Sequence, residues 1–233
     1  MAASTLTATK ESRQGEISES PIFPQLLRAV DLQPDRCAPV EKPVEKQDGS
    51  AFSLKTLRGR LVELSSSGPS ACLSFSCTLL LEAQKHSVPV VWISLTRDSF
   101  YPPDLAANGI DLSILPVVWA PDIRSAVRAA DWLLRTGAFG LLVIDLYRNA
   151  RLPVPLQARL AHSAQHHGCT VCFLTVKAEA APSLGSMISL FARVSRSRSA
   201  AGRFRLDLQV VKDKRRAPVW RHVEYIDGPP GLC

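Results

Sequence analysis

Residues 59–84 read GRLVELSSSGPSACLSFSCTLLLEAQ, and the reading of this stretch decides the fold. Leu61, Val62 and Leu64, interrupted only by Glu63, form the short apolar run of a buried strand. Residues 65–70 combine serines with Gly68 and Pro69, which is turn composition. From Ala71 onward Leu73, Cys77, Leu80 and Leu81 recur at helical spacing. Strand, small-residue turn and helix is the arrangement of a phosphate-binding P-loop. That loop needs glycines for close backbone approach, a Lys for the terminal phosphates and a Ser or Thr for the metal. In this register the four fixed positions are Ser66, Ala71, Cys72 and Leu73, and every one departs from the pattern. Cys72 brings no fixed positive charge, and Leu73 offers no oxygen to magnesium. The expected unit is a P-loop scaffold without P-loop chemistry.

Outward from this unit, the chain of 233 residues has room for one α/β domain with short extensions. Its hydrophobic content of 46% is that of an ordinary globular protein. Residues 1–20 are polar and lack the apolar core of a secretory signal. Residues 64–81 carry no formal charge, but their serines, Gly68 and Pro69 disfavour a membrane span. The six cysteines form no disulfide framework, so a cytoplasmic protein is expected. Cys169 and Cys172 have CxxC spacing inside an apolar strand, where a separation of three places them on opposite faces. They are expected to pack rather than to do redox or metal chemistry.

Residues 1–20 are rich in Ser, Thr and Glu and are expected to form a disordered tail. Residues 21–56 follow as a short amphipathic segment, with Phe23, Leu26, Leu27 and Val30 at helical spacing, and a linker stiffened by Pro34, Pro39 and Pro43. Buried strands are expected at 88–95, 115–119, 141–146 and 170–176, and helices at 121–135 and 156–167. Asp145, near the end of the run LLVIDL, is either a magnesium-orienting carboxylate or a cap on a strand end or turn. His162 and His166 lie at i, i+4, but no third ligand accompanies them, so no metal site and no cofactor is expected.

The last third holds the charge. Between positions 193 and 216 there are nine basic residues (Arg193, Arg196, Arg198, Arg203, Arg205, Lys212, Lys214, Arg215 and Arg216) against Asp207 and Asp213. That net of +7 equals the formal charge of the whole chain. Antiparallel strands are expected here, with Phe204, Leu206, Leu208 and Val210 on one face and Arg203, Arg205, Asp207 and Gln209 on the other. The first five arginines are candidates for weak, non-specific nucleic-acid contact, and a solvated charged edge fits them equally.

Three stretches, GRLVEL…LLLEAQ, LLVIDL and VVKDKRRAP, resemble the RecA recombinase ATPase core in order and spacing over about residues 57–227. The resemblance implies a RecA-like α/β core, with a central, mainly parallel sheet flanked by helices. It implies that Thr96 stands where the family places the acid that activates water, and that Asp145 holds the Walker B position. It puts Lys177 at the site of a polar sensor, followed at 178–185 by a loop shorter than the family's second DNA-binding loop. It puts Lys212 and Lys214 where RecA lysines reach a neighbour's ATP, and Phe23, Leu26 and Leu27 where its N-terminal helix meets a neighbour. Residues 228–233 remain as a tail.

A core of this length with an eroded P-loop and no C-terminal domain resembles the ImuA family of bacterial damage-inducible mutagenesis cassettes. That resemblance implies a non-enzymatic accessory role in translesion synthesis within the SOS response to DNA damage. Expected partners are RecA and ImuB, an inactive Y-family polymerase relative, with an error-prone C-family polymerase indirectly. The division inhibitor SulA, another eroded RecA-like protein, gives an alternative. A working NTPase with an aberrant loop and a nucleic-acid-binding module are the other classes to weigh.

Overall fold

Apolar runs too short for helices become strands, and the helices between them force most strands to run parallel. The computed structural model describes residues 52–97, 100–148, 151–199, 203–216 and 220–227. The expected tail, the segment bearing Phe23, Leu26 and Leu27, and residues 228–233 lie outside the described residues. In chain order the elements are α1 (Leu54–Leu57), β1 (Leu61–Ser66), α2 (Pro69–Lys85), β2 (Val90–Ser94) and α3 (Pro102–Ala107). A single 3-10 turn (Leu112–Ile114), β3 (Val117–Trp119), α4 (Ile123–Arg135), β4 (Leu141–Arg148), α5 (Val154–His167) and β5 (Thr170–Val176) follow. The last three strands are β6 (Leu190–Arg198), β7 (Arg203–Asp213) and β8 (Arg221–Asp227).

One eight-stranded sheet takes the order β3-β2-β4-β5-β1-β6-β7-β8. Strands β1 to β6 pair parallel, whereas β7 is antiparallel to both β6 and β8. Buried on both faces, β1 and β2 have no polar-outward alternation to show. One face packs on α1 and α2 through Leu57, Val62, Leu64, Phe75, Leu79 and Trp92. The other packs on α4 and α5 through Leu61, Ile93, Val127, Leu134, Leu160 and Phe173. Cys172 belongs to the first core and Cys169 to the second, as strand alternation requires.

Several boundaries differ from those expected. Ser65 and Ser66 are strand, not turn, because Thr175 and Val176 of β5 pair with them. The following helix starts at Pro69 rather than Ala71, since proline's fixed φ suits a first helical position. Only Ser67 and Gly68 remain to connect strand and helix. The helix α4 is capped by Asp122, whose side chain accepts from the Ser125 backbone N–H at 2.7 Å. Helix α3 and the 3-10 turn were not expected, their apolar residues being too few for a period.

A buried ion pair closes the lower edge of the sheet. Arg60, just before β1, donates to the Asp213 carboxylate at the end of β7 over 2.5 Å, with side chains 3% and 0% exposed. Burial alone would raise the Asp213 carboxyl. Hydrogen bonds from the Arg215 backbone, Arg60 and Trp220 outweigh it and hold that group below the ordinary carboxylate range. A depressed folded-state pKa means stability that is present above the unfolded value of about 3.9 and lost as pH falls through that region. Replacing Asp213→Ala strands Arg60 and is expected to cost about 3–5 kcal/mol, read from urea unfolding at neutral pH. The difference from the parent should shrink on acidification.

Candidate functional site

In open parallel sheets, ligands bind beyond the carboxyl ends of the strands, where connections diverge to opposite faces. That end of the sheet brings together Ser66 on β1, Asp145 on β4 and the first turn of α2. The Cys72 side chain points back onto the sheet. Its Sγ lies 3.4 Å from the Leu64 carbonyl, 3.3 Å from Ser66 Oγ and 3.7 Å from the Thr175 carbonyl, and the residue is 2% exposed. Burial pushes the thiol up to about 12, only partly opposed by the Ser66 hydrogen bond. Ala71 is buried beside it, and Leu73 packs against the α2 core. The Ser66 hydroxyl donates to the Gly68 carbonyl, which closes the two-residue connection on itself. A phosphate cradle needs a loop that stands off the strand and offers free N–H groups. Here the connection is minimal, and Pro69 brings no N–H at all.

Asp145 is 4% exposed and lies within β4, in register with Ser94 on one side and Leu174 on the other. Asp145 thus lies inside the strand rather than at its end, since β4 continues to Arg148 past an irregularity between Asp145 and Tyr147. Alternation places Asp145 on the α2 side with Val143, and its charge contributes to raising the Cys72 thiol. Thr96 follows β2, where the Ser94 hydroxyl donates to its carbonyl at 2.8 Å. The strand, connection and helix expected around Ser66, Ala71, Cys72 and Leu73 are thus assembled, with a buried thiol at position 72 and a core-packed leucine at position 73.

Glu63 is the site residue that sequence reasoning undervalued. It is fully buried, and its Oε1 accepts from Thr175 Oγ1 at 3.1 Å and from Lys177 Nζ at 2.5 Å. Its Oε2 accepts from the Leu184 backbone N–H at 2.7 Å. Lys177, the expected sensor position, is committed to this ion pair and to the Pro182 carbonyl. The loop expected at 178–185 is part of a crossover that carries the chain from β5 over β1 to β6. Gln157 of α5 clamps it, donating to the Leu184 carbonyl at 3.1 Å and accepting from the Met187 N–H. A Cβ at Gly185 would come within 2.3 Å of Gln157 Nε2, so a larger residue there has to displace the Gln157 amide from its hydrogen bonds. The signal was present, because a lone charge in a strand buried on both faces must find a partner.

The basic segment divides. On β6, Arg196 and Arg198 pair with Leu206 and Phe204 and so lie on the α2 face, while Arg193 shares the opposite face with Arg203 and Arg205. The five candidate arginines therefore lie on two opposite faces of the sheet. Arg193 is also tied down, donating to the Ala178 and Ala181 carbonyls. Between Val210 and Lys212 the pairing with β6 shifts, leaving Val211 as an additional residue. This bulge turns Lys212 to the side of Phe191, away from the face of Val210. Lys212 Nζ donates to the Gly185 and Ser186 carbonyls at 3.3 and 3.4 Å, and partial burial, with Lys214 nearby, lowers its pKa. Lys214, Arg215 and Arg216 are exposed beyond it. These four cations sit at the amino-end edge of the parallel sheet, opposite the edge that carries Cys72.

His162 and His166 stack with ring centroids 6.4 Å apart, and no group of metal-ligating side chains occurs among the described residues. No described helix is long and apolar enough to cross a membrane. The geometry predicts that Cys72, Cys169 and Cys172 resist iodoacetamide in the folded protein at about pH 8 and react once it is unfolded. Mass mapping of the alkylated peptides reads this directly. No protein-family model matches the chain, and no curated protein is significantly similar to it.

Proposed function

We propose that this chain is a RecA-like pseudo-ATPase, of the ImuA kind, that acts as a non-enzymatic accessory protein of damage-induced mutagenesis in the bacterial cytoplasm. The observation that carries the reading is the closed nucleotide position. Cys72 bonds to Ser66 and to the Leu64 and Thr175 carbonyls of the sheet, and Ser66 to Gly68, where a P-loop would present a lysine and free amides. The eight-stranded, mostly parallel sheet with helices on both faces is compatible with the RecA core. The retained Asp145 and the basic cluster after β7 support the same reading.

RecA is the expected partner, with an ImuB-like inactive polymerase and, through it, an error-prone C-family polymerase. RecA subunits join by an N-terminal apolar helix on one side and a nucleotide-bridged edge on the other. Phe23, Leu26 and Leu27 are this chain's candidates for the first contact. Lys212, Lys214, Arg215 and Arg216 are its candidates for reaching an ATP held by a RecA neighbour. Its own closed position holds no nucleotide for the next subunit, so it caps a filament end without extending it. Limiting RecA assembly in this way favours mutagenic synthesis over recombination.

Biolayer interferometry against RecA with and without ATP separates the two contacts. Phe23→Ala with Leu27→Ala is expected to cost about 2–4 kcal/mol of binding irrespective of nucleotide. Lys212→Glu with Lys214→Glu should weaken binding only when RecA carries ATP. Parent-like binding by both double mutants would refute the shared-interface reading.

A further inference from the structure

The three C-terminal strands carry a surface that the RecA reading uses only at its Lys212 end. Leu206, Leu208 and Val210 of β7 turn toward α2 and are buried in its core. On the other face of β7 lie Arg203, Arg205, Asp207 and Gln209, opposite Asp227, Tyr225, Val223 and Arg221 of β8. No described helix covers this face, and Arg203, Gln209 and Arg221 are exposed there. Tyr225 is 47% exposed, is paired in register with Arg205, and has the Arg203 guanidinium 5.8 Å from its ring centroid. Asp207 receives Arg221 and Arg205 together. A buried carboxylate pair would neutralise such a face, but here two acids stand against three arginines. The Val211 bulge adds Lys212, and Lys214, Arg215 and Arg216 prolong the charge past the strand end. On the face itself Arg203, Arg205 and Arg221 stand against Asp207 and Asp227, with Lys212 at the end of β7 and Lys214 to Arg216 just beyond it.

We propose that this uncovered face binds single-stranded nucleic acid, with Tyr225 as the stacking platform and Arg203 and Arg221 holding the flanking phosphates. Every base has a π-face, so an exposed ring set among guanidiniums recognises unpaired bases without sequence preference. A duplex keeps its bases stacked on each other and cannot use the ring. An acidic protein surface would satisfy the cations but would leave the ring idle, and it is the competing outcome. The proposal goes beyond the RecA reading and stands whether or not RecA is a partner, since Phe23, Leu27 and Lys214 take no part in the stacking site.

The test is fluorescence anisotropy of the full chain with labelled oligothymidylate and oligouridylate of about 20 nucleotides, and with a duplex of the same length. Both single strands should bind better than the duplex, and a preference for one of them would identify which nucleic acid is the natural ligand. Affinity should fall about sevenfold between roughly 50 and 200 mM salt, as the two phosphate contacts require. Tyr225→Ala should weaken binding about fivefold or more, while Tyr225→Phe, which keeps the ring, stays near the parent. Arg203→Glu should weaken binding and flatten the salt slope. Both residues are exposed, and unchanged thermal melting would confirm that the variants fold. Three results overturn the proposal: no binding at low salt, parent-like binding by both Tyr225→Ala and Arg203→Glu, or equal displacement of the oligonucleotide by polyglutamate, which would mark an acidic-protein surface.

Discussion

A carboxylate with no solvent exposure sits in the middle of the central strand, and much of the molecule is arranged to keep it paired. Glu63 joins β1 to the end of β5 through Thr175 and Lys177, and to the crossover toward β6 through the Leu184 amide. An unpaired charge in such a place would cost several kcal/mol, so none of these partners is optional. The crossover takes the place of a covering helix on that part of β1, and Gln157 and Gly185 fit it closely to α5. The polar network thereby fixes the same strand ends that carry Ser66 and Asp145.

The two ends of the parallel sheet differ in chemistry. At the carboxyl end the connection between β1 and α2 is two residues long, and Cys72 fills the space behind it with a buried thiol. At the amino end the Arg60–Asp213 pair is sealed in, while the next residues of the chain, Lys214 to Arg216, present cations to solvent. A scaffold that is closed at one edge and charged at the other is suited to bind a partner from one side. That asymmetry is what the pseudo-ATPase reading proposes to explain.

Much of the architecture was legible because buried strands and amphipathic helices leave plain periods. The strand at 170–176 was placed to the residue, and the opposite facing of Cys169 and Cys172 followed from alternation alone. Pairing overrode composition at Ser65 and Ser66, whose residue types read as turn but whose backbone is claimed by β5. That the five candidate arginines divide between two faces was hidden for a different reason. Charge counts along a chain ignore which face of a sheet each side chain takes, and Arg196 and Arg198 take the face opposite Arg203. The bulge at Val211 leaves no mark in an alternating pattern, since it is defined by the register of the partner strand. Long-range pairs such as Arg60 with Asp213, separated by most of the domain, are equally invisible until the sheet order is known. At the candidate site the positions were legible, but their state was not. Only the packing of α2 on the sheet makes Cys72 a buried plug rather than a solvent-facing side chain.

The claim on which the account turns is that the nucleotide position is closed. Each phosphate or metal contact removed from a P-loop is charge-assisted and worth about 1.5–3 kcal/mol, so losing several pushes affinity beyond the millimolar range. Isothermal titration calorimetry of the full chain with ATP and magnesium tests this most directly. The account predicts no heat of binding up to millimolar nucleotide. A micromolar dissociation constant would contradict it and restore a working NTPase as the reading of the fold.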